Sequence, residues 1–167
     1  MFIEMKVAGI TLDPMTKMPI VILKDGSGEN ALPIWIGIAE ASAIATQLEK
    51  IDLARPMTHD LLRNVLDELN VNLEKVELTD LKDNTYFAVL HLKVGDETLP
   101  VDSRPSDAIA LALRTESPIF VHEEVLNKSR HIDSSKAEEG MATPEDRDKW
   151  TEILENLSTE AFGKYKM

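Results

Sequence analysis

A turn, a short strand and a helix start occur twice at one interval along this chain, and that recurrence limits the folds open to it. GENALP at 28–33 matches GDETLP at 95–100, an offset of 67 residues. At the same offset, Glu40-Ala41-Ser42-Ala43-Ile44-Ala45 aligns with Asp107-Ala108-Ile109-Ala110-Leu111-Ala112, which is acid-Ala-x-Ala-aliphatic-Ala in both copies. Similarity at a fixed offset marks duplicated supersecondary structure, and two copies are too few for a solenoid, whose repeats bury a core only by stacking. One globular domain built from two related halves follows. Glu40 and Asp107 are then equivalent helix-start residues, whereas Arg104-Pro105 falls opposite Gly37-Ile38. Any chemistry is expected to be asymmetric.

The pattern between these landmarks alternates strands with helices. Residues 2–12 and 20–24 read as strands, Asp13-Pro14 turns between them, and Asp25-Gly26-Ser27-Gly28 leads into a third strand at 31–36. From Ala39, the residues Ala41, Ile44, Ala45, Leu48 and Ile51 keep helical spacing until Arg55-Pro56 interrupts it. A second helix is expected from Thr58, as its N-cap, to Asn70, with Leu61, Leu62, Val65, Leu66 and Leu69 as a stripe facing the core. Residues 71–81 and 86–94 are long and β-branched enough to pair across Lys82-Asp83-Asn84, and 98–102 adds a third strand. The helix at 105–114 is apolar almost all round and should be buried, followed by a strand at 118–121 and a brief helix at 123–126.

These elements make one globular domain of strands and helices in two related halves. The domain is expected to cover residues 1–127, with a polar linker at 128–142. An acidic helical extension at 143–167 completes the chain, opened by Thr143-Pro144-Glu145-Asp146 and striped by Trp150, Ile153, Leu154 and Leu157. A lone helix of this length is marginal in water, so it is expected to dock on the domain or on a partner.

Composition excludes several kinds of chemistry. The chain has no cysteine, which removes disulfides, thiolate metal sites and cysteine nucleophiles. It has no GxxxxGK[ST] loop, dinucleotide fingerprint or GxSxG elbow, and its four histidines form no His-Glu-x-x-His motif. No stretch approaches a membrane span, and the opening MFIEMKVAGITLD lacks the basic-then-apolar order of a signal peptide, so a cytoplasmic protein is expected. The net charge of −12 opposes nonspecific binding to a polyanion, although Arg55, Arg63, Arg104 and Arg114 leave room for a local basic pocket.

Chemistry concentrates in two Arg-Pro segments that open helices, RPMTHDLL at 55–62 and DSRPSDAIALALR at 102–114. A proline at a helix start loses nothing, because its missing N–H would have no intrahelical partner there, and the N–H groups beyond it favour anions. His59 is the best general-base candidate, set beside Thr58 and Asp60 on one turn. Asp60, Asp102, Asp107 and Glu40 are hard oxygen ligands of the type that holds magnesium or manganese beside a phosphate. The structural reading of the same residues is that Thr58, Asp60, Ser106 and Asp107 cap helices and the arginines pair with carboxylates.

LPIWIG, EASAIA, RPMTHDLL, LTDLKDNTYFA, DSRPSDAIALALR and PIFV, in that order over about residues 1–127, resemble the bifunctional nuclease family, long catalogued in bacteria as a domain of unknown function. The resemblance implies an α+β domain, here a mixed or antiparallel sheet from two related strand-strand-helix halves with flanking helices, and an association with DNase and RNase activity carried over from a plant member. No copy of the UvrB/UvrC-type motif that follows the domain in plant relatives is evident here. The resulting expectation is a nuclease assisted by a divalent cation, Mg or Mn, acting on single-stranded RNA or DNA. In it His59, Asp60, Asp102 and Asp107 are catalytic, Arg55, Arg104 and Ser106 bind phosphate, and Asp102, Asp107 and Glu40 hold the metal. The alternative is a non-catalytic binding or regulatory module in which the same clusters are ion pairs and caps. A homodimer is expected through the apolar exit of the third strand at Trp35, Ile36 and Ile38, unless that segment packs beneath the helix that follows it.

Overall fold

The computed structural model describes residues 1–133. The order is β1 (Phe2–Leu12), β2 (Pro19–Asp25), β3 (Ala31–Trp35), α1 (Ile38–Leu48), α2 (Thr58–Glu68), β4 (Val71–Lys82), β5 (Thr85–Val94), β6 (Glu97–Ser103), α3 (Pro105–Thr115), β7 (Ile119–His122) and α4 (Glu123–Asp133). The strands form one sheet in the order β3-β2-β1-β7-β4-β5-β6. Two antiparallel meanders, β1-β2-β3 and β4-β5-β6, lie on either side of β7, which is antiparallel to β1 and parallel to β4. The fold is therefore α+β with a mixed sheet.

The duplication is visible in the elements. α1 and α3 each have 11 residues and start at Ile38 and Pro105, the same 67-residue offset found in the sequence. Each meander thus feeds a helix from an edge strand, β3 into α1 and β6 into α3. Edge strands six places apart in a flat sheet would keep those helices apart. The sheet instead curls: Tyr86 Oη, from β5, donates to the Pro33 carbonyl in β3 at 3.2 Å. That curl brings α1 against α3, with α2 on α3 as well.

Local chemistry explains the boundaries. Asp83 and Asn84 both have positive φ and form the two-residue link of the β4–β5 hairpin, a conformation that Asn and Asp tolerate better than most residues. α1 stops at Leu48 rather than continuing to Ile51, because Lys50 turns left-handed at φ 52° and Ile51 N–H closes on the Thr46 carbonyl. α3 is buried on nearly every side, from Ala108 to Ala112, between the sheet and its two neighbouring helices. Its packing partners are the inward residues of the strands, among them Val76, Leu78 and Ala88, which have no solvent exposure.

Two expectations need correction. The α2 stripe does not face the core: only Leu66 is buried, while Leu61, Leu62, Val65 and Leu69 are exposed. Helical periodicity identifies an apolar face but not what covers it. The helix expected only at 123–126 also proves longer: α4 runs to Asp133, through the first part of the expected linker. Composition there is polar, yet Val125, Leu126 and Ser129 are buried, and Lys128 pairs with Asp80 at 2.6 Å. Tertiary contacts hold a helix longer than its own residues would propose. The rest of the linker and the extension at 143–167 lie outside the described residues.

Candidate active site

α1, α2 and α3 each carry an acid at the third helical position: Glu40, Asp60 and Asp107. A carboxylate there faces N–H groups that have no intrahelical acceptor and the positive end of the helix dipole. The first turns of these helices meet around one cleft, so three such acids are brought to one end of the helical layer. What distinguishes the acids is their second partner.

Arg104, the N-cap residue of α3, joins two of them. Its Nη1 donates to Glu40 Oε1 at 2.9 Å, its Nε to Asp107 Oδ2 at 2.7 Å and its Nη2 to Asp107 Oδ1 at 3.1 Å. The guanidinium therefore bridges the two acids that the repeat makes equivalent. Gly37, the counterpart of Arg104 at the start of α1, has no Cβ where one would collide with the Glu40 carboxylate. One half supplies the cation and the other supplies the space. Arg104 is raised further above its already high ordinary value by Asp107 first and then by Glu40.

His59, at the second position of α2, completes the group. Its Nε2 lies 2.9 Å from Asp107 Oδ1, and its side chain is only 14% exposed. Burial pushes the Asp107 carboxyl up, but the hydrogen bonds and charges of Arg104 and His59 outweigh it and hold the group below 3.8. An ionised carboxylate can only accept, so His59 Nε2–H donates to it, and Nδ1 is the ring nitrogen that can carry a free lone pair. Among the described residues, no hydrogen bond engages that nitrogen. An imidazole oriented by a carboxylate, with its second nitrogen uncommitted, is equipped to take a proton from a bound hydroxyl or water.

The cleft beside this group has a volume of about 290 Å³. Glu40, Thr58, His59, Arg104 and Asp107 line its polar side, and Ala39, Ala43, Ile51, Leu53 and Met57 give it an apolar floor. The floor was not legible in the sequence, because Ile51, whose spacing reads as a continuation of α1, and Leu53 and Met57, which no periodicity marks, all belong to the irregular α1–α2 connection. The volume and the apolar-with-polar lining suit a small planar group held against the floor with its charged end at the rim.

The expected site residues separate into those gathered here and those placed elsewhere. Glu40, His59, Arg104 and Asp107 converge. Asp60 does not line the cleft; its Oδ2 accepts from the Met57 N–H at 3.0 Å and its Oδ1 from Arg114 Nε at 2.7 Å. Met57 rather than Thr58 is thus the N-cap of α2, and Asp60 is a cap and counter-ion. Arg114, which the sequence counted toward a local basic pocket, is instead a buried partner: its side chain is 2% exposed at the end of an apolar helix, and its Nη1 also donates to the Ala110 carbonyl. Ser106 is buried and does not line the cleft. Arg55 is exposed in the connection and also lies outside the lining.

Asp102 is on the wrong side of the sheet for the expected metal set. In β6, Ser103 pairs with the buried Ala88 and Asp102 with Val89, and successive side chains point to opposite faces, so Asp102 lies on the face away from the helices. That face carries its own pair, His91 with Glu77 at 2.8 Å. Of the set Asp102, Asp107 and Glu40, two carboxylates remain together, and Arg104 stands between them. Among the described residues no group of three or more His, Asp or Glu side chains is placed to hold a metal ion. As arranged, the site does not fit a resident cation.

Comparison with known proteins is consistent with this geometry lying in a recognised domain. An uncharacterized protein of Mycobacterium tuberculosis is 37% identical over 162 residues, 95% of this chain and 97% of its own length, so the match runs through residues 143–157. Bifunctional nuclease 2 of Oryza sativa subsp. japonica is 31% identical over 119 residues, and Bifunctional nuclease 2 of Arabidopsis thaliana is 31% identical over 122. These matches cover 68% and 70% of this chain but only 36% and 37% of the plant proteins. The family model of the bifunctional nuclease domain matches residues 21–134, a span that contains every residue of the cleft. The chain belongs to the bifunctional nuclease domain family.

Proposed function

We propose that the chain is a nuclease that hydrolyses phosphodiester bonds in single-stranded RNA or DNA at the cleft between α1, α2 and α3. The observation that carries this reading is the 2.9 Å contact between His59 and Asp107 at the rim of the cleft. His59 Nδ1 takes the proton from the attacking water, or from a ribose hydroxyl where the substrate is RNA. Asp107 holds the ring in the required tautomer and stabilises the imidazolium as it forms. Arg104 has five N–H groups, of which three are engaged, and the two remaining can meet a phosphate oxygen together with the N–H groups of the helix starts. An unpaired base fits the apolar floor, and a duplex does not enter a cleft of about 290 Å³.

Two carboxyl groups, Glu40 and Asp107, share the single Arg104 guanidinium, so the rim offers little positive charge to a bare phosphate. Divalent-cation assistance by Mg or Mn therefore belongs to this proposal as an ion that arrives with the substrate, and chelator sensitivity tests it. The proposal extends to a homodimer and to a cytoplasmic site of action. Among the described residues no helix is long and apolar enough to cross a membrane.

The test is degradation of single-stranded oligonucleotides by the purified chain and by His59→Gln. Loss of a general base lowers the rate by about 100-fold or more, with an unchanged melting curve. Equal activity in the variant would overturn the assignment and point to a contaminant. A second reading, a non-catalytic module, is favoured by one observation: Arg104 is already engaged by two carboxylates, as in a clasp between α1 and α3. Under that reading Arg104→Gln shifts the melting curve while neither protein degrades oligonucleotides.

A further inference from the structure

α2 presents an uncovered apolar face. Leu61, Leu62, Val65 and Leu69 are 55%, 40%, 43% and 66% exposed. At 3.6 residues per turn they occupy an arc of roughly 100°, as wide as the stripe by which a surface helix normally packs on a core. The arc adjoins buried Leu66, so it continues the packed side of the helix. A face of this width on an isolated helix is what a second helix covers in ridge-and-groove packing.

The chain carries a segment of the matching kind. In residues 143–157, Trp150, Ile153, Leu154 and Leu157 recur at i, i+3, i+4 and i+7 behind a helix-start signal. We propose that this segment of the same chain packs as a helix on the exposed face of α2. Nine residues lie between Asp133, the last described residue of α4, and Thr143, which is ten Cα–Cα steps. Extended, they reach ~35 Å, against a radius of gyration of ~14 Å for a domain of this size, so every face of the domain is within range. Tethering at that length sets a local concentration on the order of millimolar, which favours the chain's own segment over a second copy. The match with the mycobacterial relative includes residues 143–157, whereas the plant matches stop well short of this chain's full length. Docking there would brace the helix that carries His59 into the cleft.

The experiment uses the full chain. Trp35 and Trp150 are its two tryptophans, so Trp35→Phe leaves Trp150 as the reporter. The expected result is blue-shifted emission protected from acrylamide, which Val65→Asp converts to red-shifted, readily quenched emission. A second measurement needs no disruption of the apolar face. The chain lacks cysteine, so Glu68→Cys combined with Glu155→Cys provides one unique pair for a flexible bis-maleimide. A cross-linked product at monomer mass supports the proposal. A product found only at dimer mass assigns the face to a second copy and overturns it, as does a fully quenchable Trp150 unaffected by Val65→Asp.

Discussion

Two carboxylates that begin their helices in the same way have different consequences for the molecule. Asp60 neutralises a guanidinium sealed in the core, whereas Asp107 shares a mostly exposed one and faces the cleft. Asp60→Asn leaves Arg114 buried without its counter-ion, and breaking such a pair is expected to lower stability by about 3 kcal/mol or more. Burial pushes the Asp60 carboxyl up, yet the Arg114 hydrogen bond, the Met57 N–H and the nearby positive charges hold it below 3.8. A depressed carboxyl value contributes stability that is fully present above the unfolded value and is lost as pH falls through the folded one. Melting curves from pH 7 down to pH 3 should therefore show the wild type and Asp60→Asn drawing together below about pH 4. Asp107→Asn should cost far less stability, because surface ion pairs contribute about 0–1 kcal/mol, while abolishing oligonucleotide degradation. Parallel melts and rate assays on the two variants check that division of roles.

Among the elements, α4 and α2 show how far local pattern and tertiary environment can diverge. α4 is polar in composition but seats Val125, Leu126 and Ser129 in the core. Leu126→Ala is therefore expected to destabilise the domain by about 2–5 kcal/mol, the usual range for truncating a buried leucine. Urea titration with an unchanged slope would register it as a loss of stability, whereas a midpoint equal to the wild type would mean that α4 is not part of the cooperative unit. In α2 the same substitution at Leu66 should have a comparable effect, since that residue alone of its stripe is buried. The edge strands are also guarded: β3 and β6 carry Pro33 and Pro100, one residue type at one repeat position, and proline interrupts the hydrogen-bonding edge that another strand would use.

At the scale of the molecule, the curled sheet converts two helix starts that follow opposite edge strands into one site. The same curl leaves the exit of β3 partly uncovered: Ile36 is buried, while Trp35 and Ile38 stay exposed and the Trp35 indole N–H donates to Asp13 at 2.9 Å. A two-fold dimer that covers Trp35 and Ile38 is expected. Light scattering on the full chain should return twice the mass of 18.7 kDa, and Ile38→Asp should return the monomer. A monomer mass for the unaltered chain removes the dimer.

The recurrence at 67 residues determined that the chain would build two related halves and made Glu40 the equivalent of Asp107, and the two Arg-Pro segments placed His59, Arg104 and Asp107 among the candidates before any contact was known. Spacing carries such information because side-chain direction along a helix or strand is periodic. It carries none about the partner across the core. Whether Asp60 met a substrate or Arg114, whether Asp102 pointed toward the helices or away, and whether the α2 leucines were covered depended on sheet register and curl. Those are set by the summed packing of residues far apart in the chain, and only the tertiary structure decided them.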